Sequence, residues 1–178
     1  MEIPALGELS FNEEFRQYES EPVAIPMFDG LELPFTISIG EGEEVDIPLL
    51  KEAVEAFLKM GTEAKLYATP YIFKYYKYCE KRAPELVYED LGCHITEADQ
   101  VWEFVQPGSI DVTSDRAYLQ GNATPKVYVS VAAWCGWEIE HGLQLVYRHG
   151  STLSRVSEQD GHFTHVYASE EDGIIVEE

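Results

Sequence analysis

The sequence VYVSVAAWCGWEIEHGLQLVYRHGSTLSRVS, residues 127–157, contains the clearest structural pattern of the chain. Residues 127–133 and 143–148 are rich in valine, leucine and tyrosine, as β-strands are. Gly136 and Gly142 interrupt the segment between them and predict a turn or a bulge there. This interruption also concentrates two tryptophans, a cysteine, two carboxylates and a histidine. It is therefore the first candidate for a functional surface.

The strand pattern continues beyond this segment. His149-Gly150 predicts a short turn, because glycine adopts positive φ without steric cost, and residues 151–157 form the next predicted strand. Further strands are predicted at residues 109–112, 117–119 and 162–168. The C-terminal half is therefore expected to be an antiparallel meander with short connections.

The N-terminal residues also predict antiparallel strands. Asp29-Gly30 separates two apolar runs, which indicates a β-hairpin because both residues tolerate positive φ. Pro22, Pro26 and Pro34 remove backbone donors and place these strands at an edge or at bulges. We expect an N-terminal antiparallel meander, followed by an acidic, glycine-containing connection at residues 39–45.

Helices are predicted only in the middle of the chain. Asp46 is expected to cap a first helix, and Thr69-Pro70 is expected to begin a second helix that Pro84 ends. A capping box at residues 96–99 predicts a short third helix, ended by Pro107-Gly108.

Strands before and after a helical block predict an α+β fold. In this fold the N-terminal and C-terminal meanders form a sheet, and a central block of two to three helices covers one of its faces. The chain has 178 residues, of which 45% are hydrophobic, and this is enough for one packed core. We therefore expect a single domain over residues 1–178.

The charge of the chain limits its partners. Twelve Lys and Arg residues against 33 Asp and Glu residues give a formal net charge of −21. Such a charge repels nucleic acid and anionic lipid and attracts basic proteins, so we expect no nucleic-acid or membrane partner. The acidity either serves a basic protein partner or only keeps the chain soluble.

The cysteines and the N-terminus indicate the compartment. Cys79, Cys93 and Cys135 lie far apart and are odd in number, which is typical of reduced thiols rather than of a disulfide framework. The N-terminal residues lack the basic and apolar regions of a signal peptide. These features predict a cytoplasmic protein whose thiols are buried or inert.

Glu138, Glu140 and His141 are candidate ligands or acid–base groups, since carboxylate and imidazole can share a cation or transfer a proton. If the sheet placed His162 beside His141, two histidines with Glu138 or Glu140 could bind a divalent metal. In a regular strand, however, Glu138 and His141 point to opposite faces. The alternative is a structural role, with His141 bonded to backbone or to a carboxylate across the turn.

Trp134 and Trp137 are three residues apart and would face opposite sides of a strand. One tryptophan can then enter the core while the other stays near the surface beside the acids, where aromatic side chains such as Tyr147 are typical of an interface. The alternative is that both tryptophans are core residues. The binding residues predicted on these grounds are Trp134, Trp137, Glu138, Glu140, His141 and Tyr147.

No sequence motif of a hydrolase, a nucleotide-binding loop or a cysteine nucleophile occurs in the chain. We therefore predict no catalytic residue and no cofactor, and consider an enzyme less favoured than a binding protein.

Residues 136–148, with Arg155-Val156-Ser157 and Asp160-Gly161-His162, resemble a family of uncharacterised bacterial domains. The shared features are a Trp-Asp/Glu-x-Glu-His-Gly-Leu signature, a following strand with a short turn, and a terminal Asp-Gly-His. The resemblance also includes Leu6-Gly7-Glu8-Leu9 and so extends over most of the chain. It implies a domain of unknown function, and small acidic bacterial proteins of this kind often act as immunity partners of secreted toxins.

Two functional hypotheses follow. The first is a non-enzymatic, immunity-like protein that pairs with a basic partner. The second is a metal-binding domain or metal-dependent enzyme that uses His141, His162 and Glu138 or Glu140.

Overall fold

In a computed structural model, the residues described are 1–38, 46–87, 92–114 and 126–163, together with a strand at 173–175. The α-helices are α1, Ile47–Leu58, and α2, Thr62–Arg82. The strands are β1 Glu2–Ile3, β2 Gly7–Glu8, β3 Ser10–Asn12, β4 Gln17–Glu19, β5 Val23–Ile25, β6 Leu31–Leu33, β7 Phe35–Ser38, β8 Val105–Ser114, β9 Val127–Cys135, β10 Glu138–Arg148, β11 Thr152–Ser157 and β12 Gly173–Ile175.

Eight strands form one large sheet in the order β12-β11-β10-β9-β8-β7-β4-β3. Strands β1 and β2 form one separate two-stranded sheet, and β5 and β6 form another. The predicted α+β fold is confirmed. One feature differs from the predicted antiparallel sheet, because β7 pairs with β8 in parallel. Both helices lie in the connection between these strands, and a crossover of that length permits a parallel pair.

Helix α1 forms where it was predicted. The Asp46 carboxylate accepts a hydrogen bond from the Leu49 backbone N–H at 3.1 Å, which caps the first turn. Ala53, Val54 and Phe57 form a buried stripe toward the sheet.

Helix α2 begins at Thr62, seven residues before the predicted start at Thr69-Pro70, which lies inside the helix. Proline there removes one helical hydrogen bond. The Thr69 hydroxyl beside it donates to the Lys65 carbonyl at 2.9 Å and accepts from Trp102 Nε1 at 2.8 Å. The bond from Trp102 is a tertiary contact, which the local sequence does not reveal, and it ties the helix next to the proline to the 3-10 helix that follows.

The third helix differs from its prediction in type and in both boundaries. It is a 3-10 helix, Ala98–Glu103, and its capping box joins Glu97 to Gln100, one residue later than predicted. Pro107-Gly108 does not end this helix but lies inside β8, where the register against β9 shifts. A bulge accommodates the missing proline donor.

The predicted Asp29-Gly30 hairpin is confirmed as the pair β5–β6, and Asp29 and Gly30 both have positive φ. Its loop is longer than two residues, because a 3-10 helix, Pro26–Phe28, precedes the turn. The predicted strand at 117–119 and the connection at 39–45 lie outside the described residues. So does most of the strand predicted at 162–168, while His162 itself is not in a strand.

The large sheet has two different faces. Leu143, Leu145 and Tyr147 of β10 alternate into the hydrophobic core with the helices, whereas Gln144 and Val146 point to the other face. The turn after β10 packs against α1, and a side chain at Gly150, where φ is +80°, would meet the Ala53 carbonyl oxygen at 1.9 Å. The backbone of Gly150 therefore lies directly against α1, and this close approach fixes the position of the helix on the sheet. No helix in the described ranges is long and apolar enough to cross a membrane.

Candidate functional site

The segment that joins β9 to β10 contains both a tight turn and a bulge. Cys135 pairs with Glu138, so Gly136 and Trp137 form the turn. The next pair is Leu143 with Ala133, which leaves four residues of β10 opposite Trp134 alone. The sequence therefore predicted correctly that the strands turn and bulge here. The bulge pushes residues 139–142 out of the regular ladder.

Gly142 fixes the end of this bulge. Its φ is +66°, and a Cβ atom at this position would lie 2.5 Å from the Ala133 carbonyl oxygen. The backbone around it is held on both sides, since the Tyr75 hydroxyl donates to the Gly142 carbonyl at 3.3 Å and the Gln159 N–H donates to the His141 carbonyl at 3.2 Å. The bulge is therefore anchored to α2 and to the segment after β11.

Glu138 organises the exposed side of the bulge. Its carboxylate oxygens accept hydrogen bonds from the backbone N–H groups of Glu140, at 3.2 Å, and of His141, at 2.7 Å. Nδ1 of His141 lies 3.7 Å from Oε1 of Glu138. This arrangement corresponds to the structural role considered for His141, a contact with a carboxylate across the turn.

The bulge exposes two large apolar side chains among these polar groups. Trp134 is 47% exposed and Ile139 is 52% exposed. We call Trp134, Glu138, Ile139, Glu140 and His141 the hairpin surface. An exposed tryptophan and isoleucine beside two carboxylates have the composition of a docking surface.

Two predicted binding residues do not belong to this surface. Trp137 and Tyr147 are each only 1% exposed, so neither side chain can contact a docking protein. Tyr147 lies in the core, where its hydroxyl contacts Met27 Sδ at 3.4 Å. Of the two arrangements that the sequence left open, the structure shows one tryptophan buried and the other exposed, and Trp137 is the buried one because the turn directs it against Tyr75 and Tyr76.

Trp137 also lines a cavity of about 240 Å³ between the β9–β10 turn and the end of α2. Tyr75, Cys79, Arg82 and Glu138 contribute to its wall. Nε1 of Trp137 is buried and has no hydrogen-bond partner among the described residues. This cavity was not predicted, because its walls come from segments about 60 residues apart.

The convergence of His141 and His162 on which a two-histidine metal site depends is not found among the described residues. Nδ1 of His162 lies 3.2 Å from Oδ2 of Asp160, in the segment after β11. The residues whose ligand atoms do converge, within 4.8 Å of one another, are Glu138, Glu140 and His141. The set of His141, His162 and one glutamate is therefore wrong, since the bulge directs His141 outward while Asp160 holds His162.

Sequence reasoning missed a buried ion pair. Arg155 is only 1% exposed, and its guanidinium donates to both carboxylate oxygens of Asp160 and to the His162 carbonyl. Gln144 donates to Asp160 at 3.0 Å as well. The available signal was an arginine among the alternating apolar residues of a central strand, where a charge must be paired.

The cysteines carry no reactive thiol. Burial raises the pKa of Cys79 to about 12 and that of Cys93 to about 11, and burial also raises the pKa of Cys135. All three are free cysteines. Since the thiolate is the reactive form, these thiols are inert at neutral pH, as the sequence predicted.

A family model described as Domain of unknown function (DUF6985) matches residues 5–163. No curated protein and no solved structure matches the chain. The match extends over both the hairpin surface and the Arg155–Asp160 pair.

Proposed function

The chain belongs to the DUF6985 family, and we propose that it is a non-enzymatic binding protein that docks a basic protein through the hairpin surface. The observation that supports this most is the exposure of Trp134 and Ile139 on a bulge held rigid by Gly142 and Glu138. A large aromatic or aliphatic side chain contributes most of the binding energy at an interface when it is buried by a partner. A preorganised backbone lowers the entropy cost of docking.

Charge favours a basic partner. The chain carries a net charge of −21, and the hairpin surface contributes Glu138 and Glu140. Complementary charge accelerates association and makes it sensitive to salt. Lysine or arginine side chains around an apolar centre would match this surface. In the immunity-like form of this proposal, the partner is a basic toxin encoded beside the gene for this chain.

Trp134→Ala is expected to weaken binding of the partner by about 30-fold, as loss of about 2 kcal/mol at a hot spot does. The partner is first captured from the source cell, identified and purified, and its Kd is then measured by titration calorimetry. Leu66→Ala is the matched control, because Leu66 is 71% exposed on α2, away from the hairpin surface. A Trp134 variant that binds as tightly as the wild type contradicts this docking surface.

Glu140→Lys is expected to slow association and to reduce its dependence on salt, because it reverses a charge at the surface. Stopped-flow measurement at two ionic strengths gives both quantities. Glu32→Lys reverses an exposed charge on β6 and changes the net charge equally. If both variants slow association equally, only the overall charge matters and the hairpin surface has no special role.

Divalent metal binding is the second candidate function, favoured by the convergence of Glu138, Glu140 and His141 within 4.8 Å. It ranks second because both oxygens of Glu138 already accept backbone N–H groups. If these residues bind zinc, adding Zn²⁺ should raise the Tm, and His141→Ala should abolish the increase. Elemental analysis of the native protein provides an independent measurement, and a chain without stoichiometric metal or a thermal shift rules this function out.

A further inference from the structure

The face of the large sheet that points away from the core has a row of polar side chains at its centre. Thr36 on β7, Asp111 on β8 and Ser130 on β9 occupy register-paired positions on three neighbouring strands. Ile110 and Val112, on either side of Asp111, are fully buried in the core. Aspartate is unfavourable in a central strand, so its presence there calls for a partner or a function.

Asp111 and Ser130 border a cavity of about 310 Å³, which is at the small end of the range for ligand sites. Ser130 and Gln144, on its floor, are 3% and 4% exposed, and Gln159 and Phe163 of the segment after β11 close it on one side. Asp111 is the only charged residue among those described in its lining. The described part of the lining therefore carries one negative charge among neutral, hydrogen-bonding groups.

The charge of Asp111 is poorly compensated by the protein itself. The Thr36 hydroxyl donates to its carboxylate, and no cationic side chain in the described part of the chain pairs with it. Burial raises the pKa of Asp111, while the hydrogen bond from Thr36 acts in the opposite direction. A perturbed, half-buried carboxylate in a cavity is a typical feature of a binding site.

An aromatic ring lies in the same cavity. Phe163 lines it and stacks on Tyr128, with 6.0 Å between ring centroids and 23° between ring planes. The face of an aromatic ring attracts cations, and a ring combined with a carboxylate is the chemistry that recognises ammonium groups.

We infer that this cavity binds a small organic ammonium ion whose charged nitrogen pairs with the Asp111 carboxylate while its carbon atoms contact Phe163. The negative charge of Asp111 disfavours an anion, and a purely apolar ligand would leave the Asp111 carboxylate and Ser130 buried without water. The inference does not depend on the proposed docking function, since none of its lining residues belongs to the hairpin surface. A free amine and a lysine side chain present the same chemistry, and the test separates these two sources.

The test uses three ligands with the same carbon chain, n-butylammonium, n-butanol and butyrate, titrated into the full chain and followed by the backbone NMR signals of Asp111, Gln144 and Phe163. The expected result is saturable binding of butylammonium that is at least tenfold tighter than that of the other two. Nα-acetyl-lysine amide reports on the lysine source and the free diamine 1,4-diaminobutane on the small-molecule source. Whichever of these two ligands binds more tightly shows whether the ammonium group comes from a lysine side chain or from a free amine. Equal binding of butanol and butylammonium, or no saturable binding of any of these amines, overturns the inference.

Asp111→Asn is the decisive variant, because it keeps the shape of the side chain and an acceptor for Thr36. It is expected to lose the preference for butylammonium and to keep or raise the Tm, since it removes an uncompensated buried charge. If Asp111 had only a structural role, its replacement would not remove the preference for butylammonium while keeping or raising the Tm. Asp99→Asn removes an exposed charge outside the cavity and serves as the control.

Ala132→Leu fills the cavity and keeps Asp111, and it is expected to abolish binding of every amine. Unchanged binding of butylammonium to either Asp111→Asn or Ala132→Leu also overturns the inference.

Discussion

Gly150→Ala is expected to destabilise the protein by about 3 kcal/mol or more, from overpacking of about 1–3 kcal/mol and a left-handed backbone penalty of about 1–2 kcal/mol. The Cβ atom would lie 1.9 Å from the Ala53 carbonyl oxygen and 2.7 Å from its carbon, and φ at this position is +80°. The clash is with backbone of α1, so no side-chain rotation can relieve it. The turn must separate from α1, and a core contact is lost.

Thermal unfolding followed by circular dichroism measures this effect. A loss of about 3 kcal/mol in a chain of this size corresponds to a Tm decrease of about 6–12 °C. Gly30→Ala is the control, because φ is +83° there but a Cβ atom would meet nothing within 4 Å. It should show only the backbone penalty, so the difference between the two variants isolates the contact with α1. Equal Tm values for both variants would show that α1 does not pack on the turn.

Asp160→Asn is expected to reduce the free energy of unfolding by about 3–5 kcal/mol, which is the typical cost of breaking a buried ion pair by removing one of its charges. Arg155 is 1% exposed and Asp160 is 13% exposed, so water cannot replace the lost charge. Urea denaturation measures the change. Asp29→Asn breaks the exposed pair between Asp29 and Lys65, at 2.9 Å, and should cost less than about 1 kcal/mol.

A double variant separates loss of the pair from general damage to the segment. Adding Arg155→Met to Asp160→Asn removes the buried guanidinium as well and should recover part of the stability. If the double variant is less stable than Asp160→Asn alone, the segment after β11 depends on Arg155 for another reason, and the charge argument is wrong.

The pH dependence of stability provides a further check on Asp160. Burial alone would raise the pKa of Asp160, but hydrogen bonds from Arg155 and from the His162 N–H outweigh it and lower the pKa below the ordinary 3.8. A lowered carboxyl pKa contributes stability above the ordinary value, and this contribution is lost as the pH falls through the lowered one. The wild type should therefore lose more stability than Asp160→Asn between pH 4 and pH 2. Parallel stability curves for the two proteins would contradict this assignment.

Much of the fold could be predicted because the signals are local. The glycines at 136, 142 and 150 and the alternation along β9–β11 correctly predicted the C-terminal meander, and Asp46 correctly predicted the start of α1. The errors occur where contacts between distant segments determine the boundaries of an element. Trp102 bonds to Thr69 beside Pro70 in the continuous helix α2, and pairing with β9 extends β8 through Pro107.

In the candidate site, too, local features could be predicted and features that depend on distant contacts could not. The sequence identified the residues of the bulge but left open whether Trp134 is exposed or lies in the core together with Trp137. It could not show that Tyr147 is buried or that Asp160 holds His162, because both depend on which segment covers each face of the sheet. No role was predicted for Asp111, although an acidic residue between Ile110 and Val112 in a predicted strand is itself a signal of a functional position.

The parallel pairing of β7 with β8 also constrains how the chain assembles. The hydroxyl of Thr36 and the carboxylate of Asp111 meet across 75 positions of sequence, whereas β9, β10 and β11 pair through short connections. Closing so long a loop costs entropy before any contact compensates for it, so local hairpins form first. During synthesis the first strands leave the ribosome well before their partner exists. We expect them to stay undocked until the second half of the chain has emerged and supplied the edge of β8.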